Sequence, residues 1–256
     1  MWRIRIDTEV GRLALEVRDG DLLLASFYTL DCHTHTLSLL TVPVQNTWWM
    51  GLEEAYAGQV YLHGYGDRKL GQHKGIWALA AGGEGAIWHQ PELAFYGLAQ
   101  NGLLAYEAAA QEQGLLLLDT QTGQMLQRAI SQEHAAEQVQ AYSSVRDAVV
   151  VYPTLYKEGE TYFEQVRDFL VQRLDCQPVS AIEYAETDNY LVVSYYLTTE
   201  KNKLDNFLAV FDLNGFLHLN EPLAVATDGV GSDTFFIFMR SLYFVQTKAT
   251  LKAYSL

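Results

Sequence analysis

Two histidines and an aspartate lie close together around one polar loop. His63 directly precedes the segment GYGDRKLGQHK, His73 lies near its end, and Asp67 lies between the two histidines. An imidazole beside a carboxylate can act as a general base that takes a proton from water. The same pattern is also typical of a histidine at a strand end that pairs with a nearby carbonyl. Both interpretations of His63 and His73 stay open at this stage.

A second short motif contains side chains that bind metal ions. The run Asp31-Cys32-His33-Thr34-His35 offers a carboxylate, a thiol and two imidazoles. In a strand, His33 and His35 would point to the same side of the sheet. The motif falls where other repeats of the chain place a turn, however. His33 and His35 are the residues of the sequence that could bind a metal. Because they fall in a predicted turn, we expect that no metal or other cofactor is bound.

Several well-known catalytic motifs do not occur in the sequence. The run Gly82-Gly83-Glu84-Gly85 is not followed by Gly-Lys-Ser/Thr, and no Gly-x-Ser-x-Gly elbow is present. The segment ATDGVGSD, which includes Asp228 and Asp233, lacks the ligand spacing of an EF-hand. The sequence thus contains no convincing catalytic constellation.

Composition and charge restrict the classes of partner. The chain has 256 residues, of which 17 are Lys or Arg and 31 are Asp or Glu, so its formal net charge is −14. An acidic surface repels phosphate backbones and anionic lipids, and we expect no nucleic-acid partner. No apolar run has the roughly 18–20 residues that cross a bilayer, and the start of the sequence lacks an apolar signal core. Cys32 and Cys176 are expected to be free thiols, as in a reducing compartment, so the predicted location is cytoplasmic without membrane insertion.

A repeat along the chain indicates which elements position these residues. An apolar run ends, often at an Asp, and a few turn residues lead into a second apolar run. The equivalent positions are Asp31, Ala80, Asp119, Asp175, Asp212 and Ser255, with a mean spacing of about 45 residues. This is the length of a four-stranded propeller blade.

The repeat predicts an all-β fold with a single β-propeller domain over residues 1–256. We expect six four-stranded blades, with a five-bladed or irregular ring as an alternative. The N-terminal strand Trp2–Asp7 is predicted to pair beside Thr250–Leu256 as the outer strand of the last blade, which would close the ring. A β-sandwich with a loose N-terminal strand is the competing fold. Residues Ser131–Gln140 are readable as a helix or as a polar linker.

Propeller geometry would place the long polar loops on one face. Binding residues often lie on such loops above a rigid scaffold. The predicted binding face contains Asp67, Arg68, His73, Lys74, Tyr156, Lys157, Glu158, Glu200, Lys201, Asp228 and Asp233. Solvated charges on tolerated insertions would give the same pattern.

Two of the repeats resemble those of quinoprotein-type β-propellers. One is Trp77-Ala78-Leu79, a Gly-rich turn and Ala86-Ile87-Trp88, and the other is Leu115–Leu118, Asp119 and Thr120-Gln121-Thr122-Gly123. That group contains quinone-dependent dehydrogenases and non-catalytic assembly scaffolds. The dehydrogenases of that group have eight blades and a pair of adjacent cysteines. This chain has no adjacent cysteines and fewer repeats. The resemblance therefore implies a propeller without implying the cofactor.

The sequence hypothesis is a non-catalytic scaffold that binds a protein or peptide partner through the long-loop face. The alternative hypothesis is an enzyme that acts on a small polar or sugar-like substrate at the mouth of the propeller channel. The first rests on long polar loops without a catalytic motif, and the second on the histidines and carboxylates at those loops.

Overall fold

The computed structural model describes residues 1–67, 69, 71–109, 114–199 and 201–256, and for Asp67 it describes the backbone only. The chain divides into two compact units, Met1–Val149 (unit 1) and Val150–Leu256 (unit 2). The all-β prediction is confirmed, because antiparallel sheets make up most of both units. Cys32 and Cys176 form no disulfide bond. No helix of the described residues is long and apolar enough to cross a membrane.

Unit 1 contains three four-stranded sheets whose strands follow one another in chain order. Sheet 1 contains β1 (Arg3–Asp7), β2 (Arg12–Asp19), β3 (Leu24–Asp31) and β4 (Leu37–Leu39). Sheet 2 contains β5 (Met50–Tyr56), β6 (Gln59–Asp67), β7 (Gln72–Ala80) and β8 (Ala86–Gln90). Sheet 3 contains β9 (Leu93–Ala99), β10 (Gly102–Glu107), β11 (Leu115–Leu118) and β12 (Met125–Ile130).

Unit 2 contains two further sheets. Sheet 4 has the order β14 (Thr154–Lys157), β15 (Ala181–Glu186), β16 (Tyr190–Thr198), β17 (Leu204–Asp212) and β18 (Leu217–Thr227). Sheet 5 has the order β13 (Val150–Val151), β19 (Phe235–Phe238), β20 (Ser241–Gln246) and β21 (Thr250–Ser255). The chain therefore enters sheet 5 for one short strand, builds sheet 4, and then returns.

Two helices accompany the sheets. Helix α1 (Gln132–Asp147) begins at Ser131, whose hydroxyl accepts a hydrogen bond from the His134 amide, so the helix reading of this segment is confirmed. Helix α2 (Thr161–Leu174) buries Phe163 and Leu170 against sheet 4. A 3-10 turn covers Thr47–Trp49.

Neighbouring sheets of each unit share apolar cores. In unit 1, Phe27 of sheet 1 belongs to one buried cluster with Leu52 and Leu62 of sheet 2, and Ile76 of sheet 2 to another with Leu103 of sheet 3. In unit 2, Val210 of sheet 4 and Leu242 of sheet 5 share a third cluster. Inner strands such as β10 and β19 carry continuous runs of buried residues, so both of their faces are covered.

Buried carboxylates also connect neighbouring sheets. Glu16 of β2 is fully buried and accepts a hydrogen bond from the Leu52 amide at 2.8 Å. Asp7 of β1 accepts bonds from the amides of Ala57 and Gly58 at 3.1 and 2.8 Å. Burial raises the pKa of Asp7, and the backbone N–H groups around it partly offset that effect. Each carboxylate thus accepts hydrogen bonds from backbone amides of the neighbouring sheet.

The repeated aspartate is confirmed as a turn residue at three positions. Oδ1 of Asp31, Asp119 and Asp212 each accepts hydrogen bonds from two backbone amides of the turn that follows, at 2.8–3.0 Å. Asp175 is the exception. It ends helix α2 with a left-handed backbone at φ 51°, so the strand–turn–strand reading of the segment from Val171 is wrong.

Strand pairing also differs from two other predictions. Strand β1 pairs with β2, with Arg3 opposite Glu16, and β21 pairs with β20. The fourth strand of sheet 5 is Val150–Val151, beside β19 and at the opposite edge from β21. The N-terminal strand is instead an edge strand of the chain's first sheet, so its predicted pairing beside Thr250–Leu256 is wrong. Five sheets are present among the described residues, and the six-bladed closed ring is not confirmed.

Candidate functional site

Sheet 2 brings one carboxylate and two imidazoles together. Glu53 lies on β5, His63 on β6 and His73 on β7, which are adjacent strands. Oε1 of Glu53 is 2.8 Å from Nδ1 of His63 and 2.9 Å from Nδ1 of His73. The two imidazole rings stack with centroids 3.5 Å apart and planes 11° from parallel. We call these three residues the Glu–His–His cluster.

A β-bulge aims Glu53 at the histidines. Leu52 pairs with Leu62 and Glu54 pairs with Tyr61, so Glu53 is an extra residue between two register positions. Such a bulge re-aims a side chain that regular alternation would send elsewhere. The pairing of β6 with β7 also shifts register between His63 and Gly64, before the position of His73. The cluster therefore depends on local irregularities of sheet 2.

Side chains of sheet 1 hold the bulge in place. The Arg3 guanidinium donates to the Leu52 carbonyl, and Nε of Arg5 donates to the Glu53 carbonyl at 2.7 Å. Together with the bond from the Leu52 amide to Glu16, these contacts give partners in sheet 1 to backbone groups of β5, the edge strand of sheet 2. The backbone at Glu53 is consequently fixed by charged partners on two strands of sheet 1.

Gly51 provides the space for the His63 ring. It lies directly opposite His63, and a Cβ atom at this position would be 2.4 Å from Cε1 and 2.6 Å from Nε2 of the ring. Tyr65 contacts both imidazoles edge-on, with ring centroids 5.0 Å from His63 and 5.4 Å from His73. The ring of His63 is thus confined between backbone and aromatic neighbours.

Burial and the neighbouring imidazoles oppose each other in setting the charge of Glu53. Burial favours the neutral acid, but the contacts with His63 and His73 outweigh it and lower the pKa of Glu53 to about 2. Burial lowers the pKa of His63, and the Glu53 carboxylate opposes that shift. His63 is 2% exposed, and neither of its ring nitrogens has a hydrogen-bond partner among the described residues. Its approach to Glu53 has the distance of an ion pair without the direction of a hydrogen bond.

A cavity of about 300 Å³ adjoins the cluster. Its walls come from four strands and helix α1. They consist of Arg5, Glu53, Glu54, His73, Phe95, Tyr96, Gly97, Leu98, Val139, Tyr142, Ser143 and Arg146. We call this space the α1 cavity. It places Glu53 and His73 beside aromatic rings and two guanidinium groups.

Arg146 fastens helix α1 over the α1 cavity. Its Nη2 donates to the carbonyls of Ile6 and Ala55 and to Oε1 of Glu54, at 3.0–3.2 Å. Gly97 of β9 allows close packing here, because a Cβ atom at this position would lie 2.7 Å from the Val139 side chain. These contacts hold the helix, β1, β5 and β9 together, so the chain itself forms the walls of the α1 cavity.

The predicted long-loop face is divided between the two units. In unit 1, His73 belongs to the cluster and Nζ of Lys74 pairs with Glu92 at 2.7 Å. Strands β6 and β7 extend to Asp67 and Gln72, so the long loop predicted between them is mostly strand. Arg68 and the side chain of Asp67 lie outside the described residues.

The other predicted residues of that face lie in unit 2. Tyr156 and Lys157 are in β14 and Glu158 accepts a hydrogen bond from the Ser180 amide, so the loop predicted there is a strand followed by helix α2. Asp228 pairs with Lys203, Lys201 is exposed, and the Asp233 amide donates to Glu183. Glu200 lies outside the described residues.

The metal candidate of the sequence is separate from the cluster. His33 and His35 are exposed in the turn after β3, and the His33 amide donates to Asp31. Among the described residues, the group with three potential metal ligands is instead Glu53, His63 and His73. The sequence places His63 and His73 at the ends of one polar loop. It does not predict Glu53 as their partner, because a β-bulge has no signal in an alternating sequence pattern.

Comparison with known proteins gives a partial family match. The model of the family described as "Domain of unknown function (DUF4905)" matches residues 6–88, less than half of the chain, and this segment contains the whole Glu–His–His cluster. No curated protein matches the chain.

Solved structures with similarity to the chain include propellers. The β-propeller domain of the Trilobed protease from Pyrococcus furiosus is 10% identical, with 98% of this chain and 82% of that chain covered and a TM-score of 0.32. The endo-arabinase from Bacteroides thetaiotaomicron is 12% identical, with coverage of 99% and 92% and a TM-score of 0.26. A eukaryotic initiation factor is 8% identical, with coverage of 99% and 78% and a TM-score of 0.19.

Proposed function

We propose that the chain is a non-catalytic binding protein and that the α1 cavity takes a small polar, sugar-like molecule. The observation that carries this proposal is the cavity of about 300 Å³ in unit 1. This volume lies at the lower end of the range for small-molecule sites. Aromatic walls with a few convergent polar groups are the usual composition of such sites.

The wall of the α1 cavity favours a neutral polar ligand. Arg5 and Arg146 contribute two positive charges, and Glu53 and Glu54 contribute two negative ones. These groups include hydrogen-bond donors and acceptors, so the wall suits a ligand with hydroxyl groups better than a ligand with a strong charge. Phe95 and Tyr142 add apolar ring surface on which the carbon face of a sugar can pack.

Ser143 and Ser144 allow a matched test of this site. Ser143 lines the α1 cavity and Ser144 is its exposed neighbour, and each hydroxyl donates to the carbonyl four residues earlier. Saturation-transfer NMR with D-glucose, D-galactose, L-arabinose and glycerol should give a signal from at least one probe. Ser143→Trp should abolish that signal by filling the cavity, and Ser144→Trp should retain it. A panel without signal, or a signal that survives Ser143→Trp, would refute the proposal.

An enzyme acting on the same class of ligand is the second candidate. It is favoured by one observation, which is that Glu53 and His73 line the α1 cavity beside the space for a ligand. A carboxylate and an imidazole 2.9 Å apart are within reach for general acid–base chemistry. Turnover of p-nitrophenyl glycosides that is lost in Glu53→Gln would support this candidate, and its absence would leave the binding function.

We also propose that the sheets are blades of a β-propeller. The support is that sheets 1, 2 and 3 are four-stranded antiparallel meanders in chain order, as propeller blades are. A quinoprotein-type repeat and a peptide partner on the long loops remain predictions. Small-angle X-ray scattering that fits a closed ring would support the propeller, and an extended two-body profile would contradict it.

A further inference from the structure

We propose that Glu53, His63 and His73 bind a divalent transition-metal ion, with Zn²⁺ as the expected ion. Each residue offers one ligand atom, and the three atoms lie within 4.8 Å of one another. Two imidazoles and one carboxylate form a donor set that suits Zn²⁺ and related ions and is poor for Ca²⁺ or Mg²⁺. This inference goes beyond the binding function of the α1 cavity, because it assigns a second kind of ligand.

The distances between the donor atoms are close to those of a metal site. Zinc bonds to nitrogen and oxygen of about 2.0–2.1 Å place tetrahedral ligand atoms roughly 3.4 Å apart. The carboxylate oxygen of Glu53 is 2.8 Å from His63 Nδ1 and 2.9 Å from His73 Nδ1. An ion would therefore move the Glu53 oxygen about half an ångström farther from each of these nitrogens. The stacked rings must also turn apart, and His73 has the freedom to do so, since a third of its side chain is exposed.

The environment of His63 is an independent indication of a ligand. Its ring is buried, and both nitrogens lack hydrogen-bond partners among the described residues. A buried polar group without a partner is uncommon in folded proteins and calls for a ligand or a functional explanation. Coordination of Nδ1 to a metal ion would satisfy one of the two nitrogens. Because Gly51 has no side chain, the His63 ring fits inside the sheet at this position.

The surroundings restrict the positions of the three ligands. Arg3 and Arg5 bind backbone carbonyls at the bulge that aims Glu53, and Tyr65 packs against both rings. Three protein ligands leave a coordination position for water, and the α1 cavity touches Glu53 and His73. A ligand in that cavity could therefore reach the ion.

The test is a titration of the full chain, freed of metal by a chelator, with ZnCl₂ and CoCl₂. Calorimetry should show one Zn²⁺ per chain, and Co²⁺ should give the visible absorption of a four-coordinate site. Glu53→Gln and His73→Ala should each weaken Zn²⁺ binding at least tenfold. The His33→Ala/His35→Ala double variant should bind as the wild type does, because both residues lie in an exposed turn.

A second measurement on the wild type keeps the proposal falsifiable if a variant does not fold. Zinc-edge X-ray absorption should show nitrogen and oxygen neighbours at about 2.0–2.1 Å, including two imidazoles. Sulfur at about 2.3 Å would assign the ion to a cysteine and overturn the proposal. Lack of stoichiometric binding, or equal loss of affinity in the His33/His35 variant, would overturn it as well. The sugar signal is read on the metal-free chain and the Zn²⁺ affinity is read without sugar, so failure of the cavity function and failure of the metal site give different results.

Discussion

At the scale of single residues, Gly51 decides whether the His63 ring can occupy its place. We expect Gly51→Ala to lower the free energy of unfolding by about 1–3 kcal/mol, because the added methyl group meets a confined ring rather than a flexible chain end. Gly51 does not have a left-handed backbone, so steric contact is the dominant reason. Urea unfolding followed by circular dichroism measures this change.

Gly20→Ala is the matched control for that substitution. No heavy atom lies within 4 Å of the position its Cβ would take, and its backbone is also outside the left-handed region. The control should unfold at nearly the wild-type urea concentration. Equal midpoints for Gly51→Ala and Gly20→Ala would mean that the His63 ring is free to move away.

The same residues show what a sequence can predict about a site. The sequence identifies His63 and His73 as candidate site residues because they lie at the two ends of one polar loop. The sequence does not identify Glu53 as a site residue. In a regular strand Glu53 would face the side of the sheet opposite to Leu52, and the bulge changes that orientation without a signal in the sequence. Asp67 was the carboxylate nearest in sequence, whereas the structure uses one from the preceding strand. Proximity across a sheet depends on register, which short-range patterns do not contain.

At the scale of elements, helix α1 depends on its first turn. The Ser131 hydroxyl accepts the His134 amide, and the helix has few buried residues to stabilise it otherwise. We expect Ser131→Ala to reduce the free energy of unfolding by about 0.5–2 kcal/mol. Thermal unfolding measures the effect, and Ser144→Ala within the same helix should have little influence. A Ser131→Ala variant as stable as Ser144→Ala would show that packing against β9 alone holds the helix.

Strands were easier to predict than helices in this chain, and α2 shows why. The predicted strands Trp2–Asp7 and Thr250–Leu256 lie within one residue of β1 and β21. The run that ends at Asp175 has the same apolar-then-Asp pattern, but it belongs to a helix that buries Phe163 and Leu170, seven residues apart. A short apolar run followed by Asp fits the end of either element. The helix is distinguished from a strand only by the helical spacing of apolar residues that extends back to Phe163.

At the scale of the whole molecule, the repeat predicted the sheets better than their connections. The two-residue strand Val150–Val151 pairs with Ile237 and Phe238, far along the chain. A pairing so distant and so short has no local signal, so the sequence pattern does not predict it. The turn aspartates, by contrast, are a local signal, and three of them have the same hydrogen-bond pattern in both units.

The shared turn pattern predicts how the whole molecule responds to acid. Turn amides lower the pKa of Asp31, with Arg12 adding to the effect, and amides also lower the pKa of Asp212. At Asp119 the Thr122 hydroxyl lowers the pKa most, and the turn amides add to it. A lowered pKa means that the ionised form stabilises the fold above pH 3.8, the ordinary value, and that this contribution is lost as the pH falls further. Asn keeps the accepting oxygen but does not titrate.

We therefore expect the triple variant Asp31→Asn/Asp119→Asn/Asp212→Asn to be somewhat less stable than wild type at pH 7 and to lose less stability between pH 4 and pH 2. Urea midpoints across this range measure the difference. The control variant Asp21→Asn/Asp147→Asn/Asp188→Asn changes the net charge equally at carboxylates that accept no hydrogen bond from the described residues. If the two triple variants give parallel curves, total charge rather than the repeated turn governs the acid response of the protein.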